Sequence, residues 1–156
     1  VGQFAIAAMD YVNPSNDNCA QADALAINGE PVVGSTVNAT YQFRADDVAY
    51  TFVGNGRTVK ISTCFDETEV AHNFLVRNGG CNSRSLGDFA IDQDCANPNA
   101  AAFTFDTVSG RTYPVIVYAR AAGIEGQFAL RVVDYVNPSN DNCAQADALA
   151  INGDPV

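Results

Sequence analysis

One histidine, five cysteines and three acidic clusters are the side chains here whose types and spacing could do chemistry. His72 is the only histidine, so any His-assisted nucleophile would have to use it. No nucleophile elbow of the Gly-x-Ser-x-Gly kind, no phosphate loop and no metalloprotease motif accompanies it. His72 therefore reads as a surface or hydrogen-bonded strand residue, and no enzyme activity is expected. The cysteines stand at 19, 64, 81, 95 and 143, without a Cys-x-x-Cys pair. With a single histidine this argues against zinc and for disulfides, hence for an extracellular, oxidising location. The acidic clusters are Asn16-Asp17-Asn18, Asp46-Asp47 and the group Asp88, Asp92, Asp94. The last lacks the Gly and terminal Glu of an EF-hand and reads as a solvated loop. Asn38-Ala39-Thr40 is a glycosylation sequon, whereas Asn13-Pro14-Ser15 is excluded by its proline.

The elements that position these groups are organised by a repeat. Residues 1–32 return as 125–156 at a constant offset of 124, with 26 of 32 positions identical. The stretch Asp10 to Gly29 recurs unchanged as Asp134 to Gly153, linker residues included, which points to recent tandem duplication and not to convergent folding pressure. On this register 1–15 reads as the last strand of a preceding repeat. Residues 16–139 form one complete repeat, and 140–156 open the next. Cys143 is then Cys19 of the next copy, which leaves four cysteines and two disulfides per repeat. The expected partners are neighbouring copies of the same repeat. One repeat is large enough for one core. Acidic residues outnumber basic ones 18 to 8, a balance that argues against nucleic acid and anionic membranes. No apolar run is long enough to span a bilayer.

Within the repeat, period-two alternation marks the strands. Val48, Tyr50 and Phe52 share one face; Val59 and Ile61, Phe103 and Phe105, and Tyr113, Val115 and Val117 do likewise. Phe128, Leu130 and Val132 close the domain. Phe52, Ile61, Phe105, Val115 and Phe128 are the expected core. Gly54-Asn55-Gly56, Asn78-Gly79-Gly80 and Ser109-Gly110 read as hairpin turns. Only Cys19 to Leu25 looks helical, for a turn or two. The expected fold class is all-β, an antiparallel β-sandwich of jelly-roll type. Counting strands up and down favours the pairing Cys19–Cys81 with Cys64–Cys95; Cys81–Cys95 with Cys19–Cys64 stays open as the rival.

Three segments carry a family resemblance. They are Asn16-Asp17-Asn18-Cys19 with Gly34-Ser35-Thr36; Asp46-Asp47-Val48-Ala49-Tyr50-Thr51-Phe52 with Val59 to Cys64; and Phe103-Thr104-Phe105, Val108 to Tyr113 and Gly126 to Leu130. Together they resemble the bacterial pre-peptidase C-terminal domain, in its cysteine-containing tandem form. Two places depart from that pattern: Ala49 stands where the family has an aromatic, and Glu69-Val70-Ala71-His72 replaces an aspartate-rich strand start. The resemblance implies a β-sandwich accessory module, with calcium in some members joining linker and strand start. Carried over, Asn16, Asp17, Asp46 and Asp47 would be the calcium ligands. The function expected is a structural or adhesive repeat of an extracellular fibre, stalk or adhesin. The alternative is a carbohydrate- or collagen-binding accessory module of a secreted enzyme or surface protein, with extracellular polysaccharide as a partner.

Overall fold

The computed structural model describes residues 12–89, 95–121 and 123–136, with backbone only at 88 and 89. The flanking segments of the repeat, 1–11 and 137–156, lie outside the described residues, as do Asp92 and Asp94. A short 3₁₀ turn, Cys19–Gln21, precedes nine strands. They are β1 (Asp23–Ala24), β2 (Val32–Ser35), β3 (Asp47–Val53), β4 (Thr58–Ser62), β5 (His72–Arg77), β6 (Ser85–Phe89), β7 (Ala102–Asp106), β8 (Thr112–Ala119) and β9 (Gln127–Asp134). One sheet has the order β1-β3-β8-β5-β6 and the other β2-β9-β4-β7. The chain changes sheet at nearly every connection, which makes a two-sheet sandwich of jelly-roll type. All pairs are antiparallel except β1 with β3, where Asp23 and Ala24 run parallel beside Tyr50 and Thr51.

The inner faces interdigitate in one core. Val48, Tyr50 and Phe52 of β3, Phe74 and Val76 of β5, and Val115 and Val117 of β8 meet Val59, Ile61, Phe128, Leu130 and Val132 from the facing sheet. Aromatic rings meet edge-on across this interface, Tyr50 with Phe128 and Phe52 with Phe105, while Phe52 stacks on its strand neighbour Tyr113 at 5.3 Å. Gly34 is glycine because a Cβ there would collide with the Tyr50 hydroxyl and the Phe128 ring. The outer face of the five-stranded sheet is apolar too. Ala49, Leu75, Ile116 and Tyr118 form a second cluster, roofed by Cys19, Ala22, Phe43 and Cys81.

Pro114 sits in β8, a central strand, where proline normally removes a ladder bond. Its partner Thr51 directs its carbonyl to Leu25 N on the other side, so the Pro114 nitrogen faces β5. On that side the last paired residues of β5 and β8 are Val76 and Val115, so the ladder stops one residue short of the proline.

Four expectations need correction. Gly54-Asn55-Gly56 and Ser109-Gly110 are not hairpin turns; each is a corner carrying the chain from one sheet to the other. A Cβ at Gly54 would strike Val108 O, Thr107 and Tyr113, so tight corner packing and not strand pairing selects that glycine. Only Asn78-Gly79-Gly80 lies in a true hairpin, between β5 and β6. The helical reading of Cys19 to Leu25 shrinks to three residues, because Asp23–Ala24 joins the sheet. Phe105 is half-buried and not fully buried, since β7 is an edge strand.

Candidate functional site

β3 and β9 both run from one pole of the sandwich to the other, and the candidate residues gather at those poles. At the leading pole, where the described domain begins, Asn16 exchanges two bonds with β3: Ala49 N donates to its carbonyl, and its Nδ2 donates to Ala49 O. Asp17 accepts from Thr40 N at 2.5 Å, Thr40 Oγ1 at 2.7 Å and Asn13 Nδ2 at 2.9 Å. Burial pushes its pKa up, but these hydrogen bonds outweigh burial and hold it below the ordinary carboxylate value. Asp47 is buried; its Oδ2 accepts from the backbone N–H groups of Gln42, Phe43 and Arg44. Here burial wins. With repulsion from Asp17 added, it pushes the Asp47 pKa up despite the three amide donors.

The four residues named as calcium ligands thus behave differently from one another. Asp17 and Asp47 act as acceptors that tie down the loop before β3, while the Asn16 side chain donates to β3 itself. Asp46 is half-buried in a bridge with Tyr41. A calcium ion takes six to eight oxygens. The carboxylate oxygens of Asp17 and Oδ2 of Asp47 already face N–H or O–H donors, which leaves Asp47 Oδ1 as the buried oxygen without a partner. Among the described residues no three His, Cys, Asp or Glu side chains converge as a metal cage. As folded, this donor set does not fit the calcium implied by the resemblance.

At the trailing pole Asp134 gathers three side chains from two segments. It accepts from Asn55 Nδ2 at 2.6 Å, Asn28 Nδ2 at 3.1 Å and Arg57 NH1 at 3.1 Å, while Asn28 Oδ1 accepts from Asp134 N. The Asn55 and Asn28 amides, then Arg57, hold its pKa below the ordinary value. Sequence reasoning missed this node. Its signal was present, since Asp134 and Asn28 both lie in the duplicated stretch.

His72 is buried. Its Nδ1 lies 2.8 Å from Val70 O and its Nε2 3.3 Å from Thr36 Oγ1, with the ring edge-on to Phe128. Nδ1–H donating to the carbonyl leaves Nε2 to accept from the threonine. Burial lowers its pKa to about 4, so the ring is neutral at physiological pH. It joins β5 to the loop after β2.

The structure pairs Cys19 with Cys81 and Cys64 with Cys95. The first bridge lies over the outer face of the five-stranded sheet and not at a pole. The second lines a shallow cavity of about 260 Å³ with Lys60, Phe65, Asp66 and Asn97. Asn97 Nδ2 is spent on Phe65 O and Thr68 O, so that cavity is braced from within. In the sequon, Asn38 adopts a positive φ of 61°, and the Thr40 hydroxyl is bonded to Asp17.

These residues define a disulfide-braced, two-sheet jelly-roll sandwich in which polar side chains fasten loops and the apolar ones fill two clusters. More particularly, the fold is that of the pre-peptidase C-terminal domain of collagenase from Bacillus anthracis. The two match with a TM-score of 0.50 and 19% identity over 71% of this chain and 93% of that one. No protein-family model matches the sequence, and no curated protein matches it. The disulfides are consistent with an extracellular location. No helix among the described residues is long and apolar enough to cross a membrane.

Proposed function

We propose that this domain is a non-catalytic accessory module of a secreted protein, set in tandem, whose work is spacing and presentation. The observation that carries this is polarity of the fold. The chain is clamped at Asn16 and Asp17 on one pole and at Asp134 on the other, so successive copies at the 124-residue period would extend in one direction. The collagenase neighbour supports a module attached to a secreted enzyme ahead of a free-standing fibre or adhesin. This reading does not depend on calcium. Intact mass of the native secreted protein tests it: the mass should exceed that of one sandwich by whole periods or by an attached catalytic domain. A native protein consisting of one sandwich alone would overturn it.

A second reading is that the module itself holds a ligand, collagen by analogy with the collagenase neighbour, or polysaccharide. Co-sedimentation with insoluble collagen and with insoluble polysaccharide tests it directly. Saturable binding to either would make ligand capture, and not spacing, the primary role.

A further inference from the structure

Eleven large apolar side chains are exposed among the described residues, and they are not scattered. Val12, Val37, Tyr41 and Ile124 stand at the leading pole, and Val53, Val108, Tyr135 and Val136 at the trailing pole. Only Val32, Val33 and Leu86 lie on the flanks between them. Apolar surface concentrated at the two ends of a sandwich, and largely absent from its sides, marks contact along the long axis.

The duplicated sequence fixes how far apart two such ends can be. Residues 134–137 repeat 10–13, so the linker is described once from each side. From the upstream side, Asp134 is held by three side chains and Tyr135 N donates to Thr58 O. From the downstream side, Asn13 bonds Asp17, and Asp17 N donates to Pro14 O. Between the clamped aspartate and the clamped asparagine stands only a Tyr-Val pair, its tyrosine itself held at the backbone N–H. Three Cα steps span roughly 10 Å at full extension, too little for two domain surfaces to stand apart. The valine of that pair is 83% exposed as Val136 and 70% exposed as Val12, so both descriptions leave it without cover.

We infer that the trailing pole of each copy docks directly on the leading pole of the next copy in the same chain, with the Tyr-Val pair buried between the two patches. This rests on the tandem reading above and adds the interface. The interface is head-to-tail, so its two sides are different surfaces, and that asymmetry is what an experiment can read.

The test uses a chain with two complete periods, residues 1–139 followed by 16–156, examined by small-angle X-ray scattering with a circular-dichroism melt for each variant. Val53→Ser with Val108→Ser in the first copy should loosen the pair, with about a two-fold broadening of the interdomain distance peak. The same two changes in the second copy should leave the peak as it was. Tyr41→Ser should behave in the opposite sense, broadening the peak from the second copy only. All three positions are exposed, so the melts should match the parent. A broad peak in the unsubstituted chain, with both copies folded, would overturn the docking and leave the tandem reading intact. Failure of the second copy to fold as a sandwich would overturn the tandem reading itself. Equal effects from both copies that grow with concentration would show that the patches join separate chains, which also overturns docking within one chain.

Discussion

The two sheets of this sandwich are built from similar strands and live in different surroundings. In the five-stranded sheet, β8 is buried from Tyr113 through Ala119 and β3 from Asp47 through Tyr50, on both faces. In the four-stranded sheet, β4 alternates strictly, with Val59 and Ile61 buried and Thr58, Lys60 and Ser62 half-exposed. The cause is the roof. A disulfide-pinned 3₁₀ turn, Phe43 and the loop bearing Cys81 cover one outer face, and among the described residues no comparable roof covers the other around β4 and β7. The central strands β3 and β8, covered on both sides, are core and offer little binding surface. What remains for contact is the polar outer face of the smaller sheet, and the two poles.

The largest effect that bears on this contrast should come from removing the roof. The Cys19–Cys81 bridge closes a loop with a sequence separation of 62. Loop-closure entropy sets the loss at about 4 kcal/mol for Cys19→Ser with Cys81→Ser. Denaturant unfolding should show that loss, together with new binding of a hydrophobic dye to the uncovered Ala49–Leu75–Ile116 surface. Loss of stability without dye binding would mean the roof stays in place unaided.

A matched pair of truncations sharpens the same contrast. Ile116→Ala on the covered face should cost about 2–5 kcal/mol, as a buried large-to-small change. Thr104→Ala, outward-facing on β7, should stay within about 0.5 kcal/mol. Equal costs measured by chemical denaturation would erase the distinction between the two outer faces.

Smaller still is the pH response of His72, which joins the two sheets at the leading pole. Its folded pKa is lowered to about 4, so between that value and its ordinary value of 6.5 the unfolded chain holds a proton that the folded one does not. Stability therefore falls as pH drops through this window, by up to about 3 kcal/mol. Unfolding free energies from pH 7 to 4 should show the decline, and His72→Gln should flatten it relative to the parent. Asp47, with its raised pKa, works in the opposite sense over the window above the ordinary carboxylate range, and comparison against the His72 variant separates the two.

The same contrast explains what the sequence disclosed. Alternation in Thr58 to Ser62 was legible because one face meets water. In Tyr113 to Ala119 the shared face of Tyr113, Val115 and Val117 was legible too, but burial of the opposite face, with Ile116 and Tyr118, was not. The resemblance led to the right sandwich. The corners at Gly54 and Ser109 were misread because glycine marks a sheet crossing and a hairpin alike, and the difference lies in long-range packing against Tyr113. At the candidate sites, acidity at Asp17 and Asp47 was visible, but not its use. Asp17 serves Thr40, 23 residues away, a pairing that no local pattern encodes, whereas Asp47 folds back on the amides of Gln42, Phe43 and Arg44 just before it. Asp134 was missed because a single acid at a strand end resembles any solvated turn, until Asn28, Asn55 and Arg57 are placed around it.

The covalent wiring also has a mechanical side. If the domain is pulled along its long axis, force arriving past Asn16 meets Cys19 almost at once and crosses the sulfur bridge to Cys81. The intervening chain, with a sequence separation of 62, is bypassed, so β1 through β5 lie off the load path. At about 3.4 Å per extended residue, roughly 200 Å of slack stays locked away while the bridge is intact. Under tension such a module can release only the length held in β6 through β9. A reductant that opened the same bridge would turn a short-stroke tether into a long one.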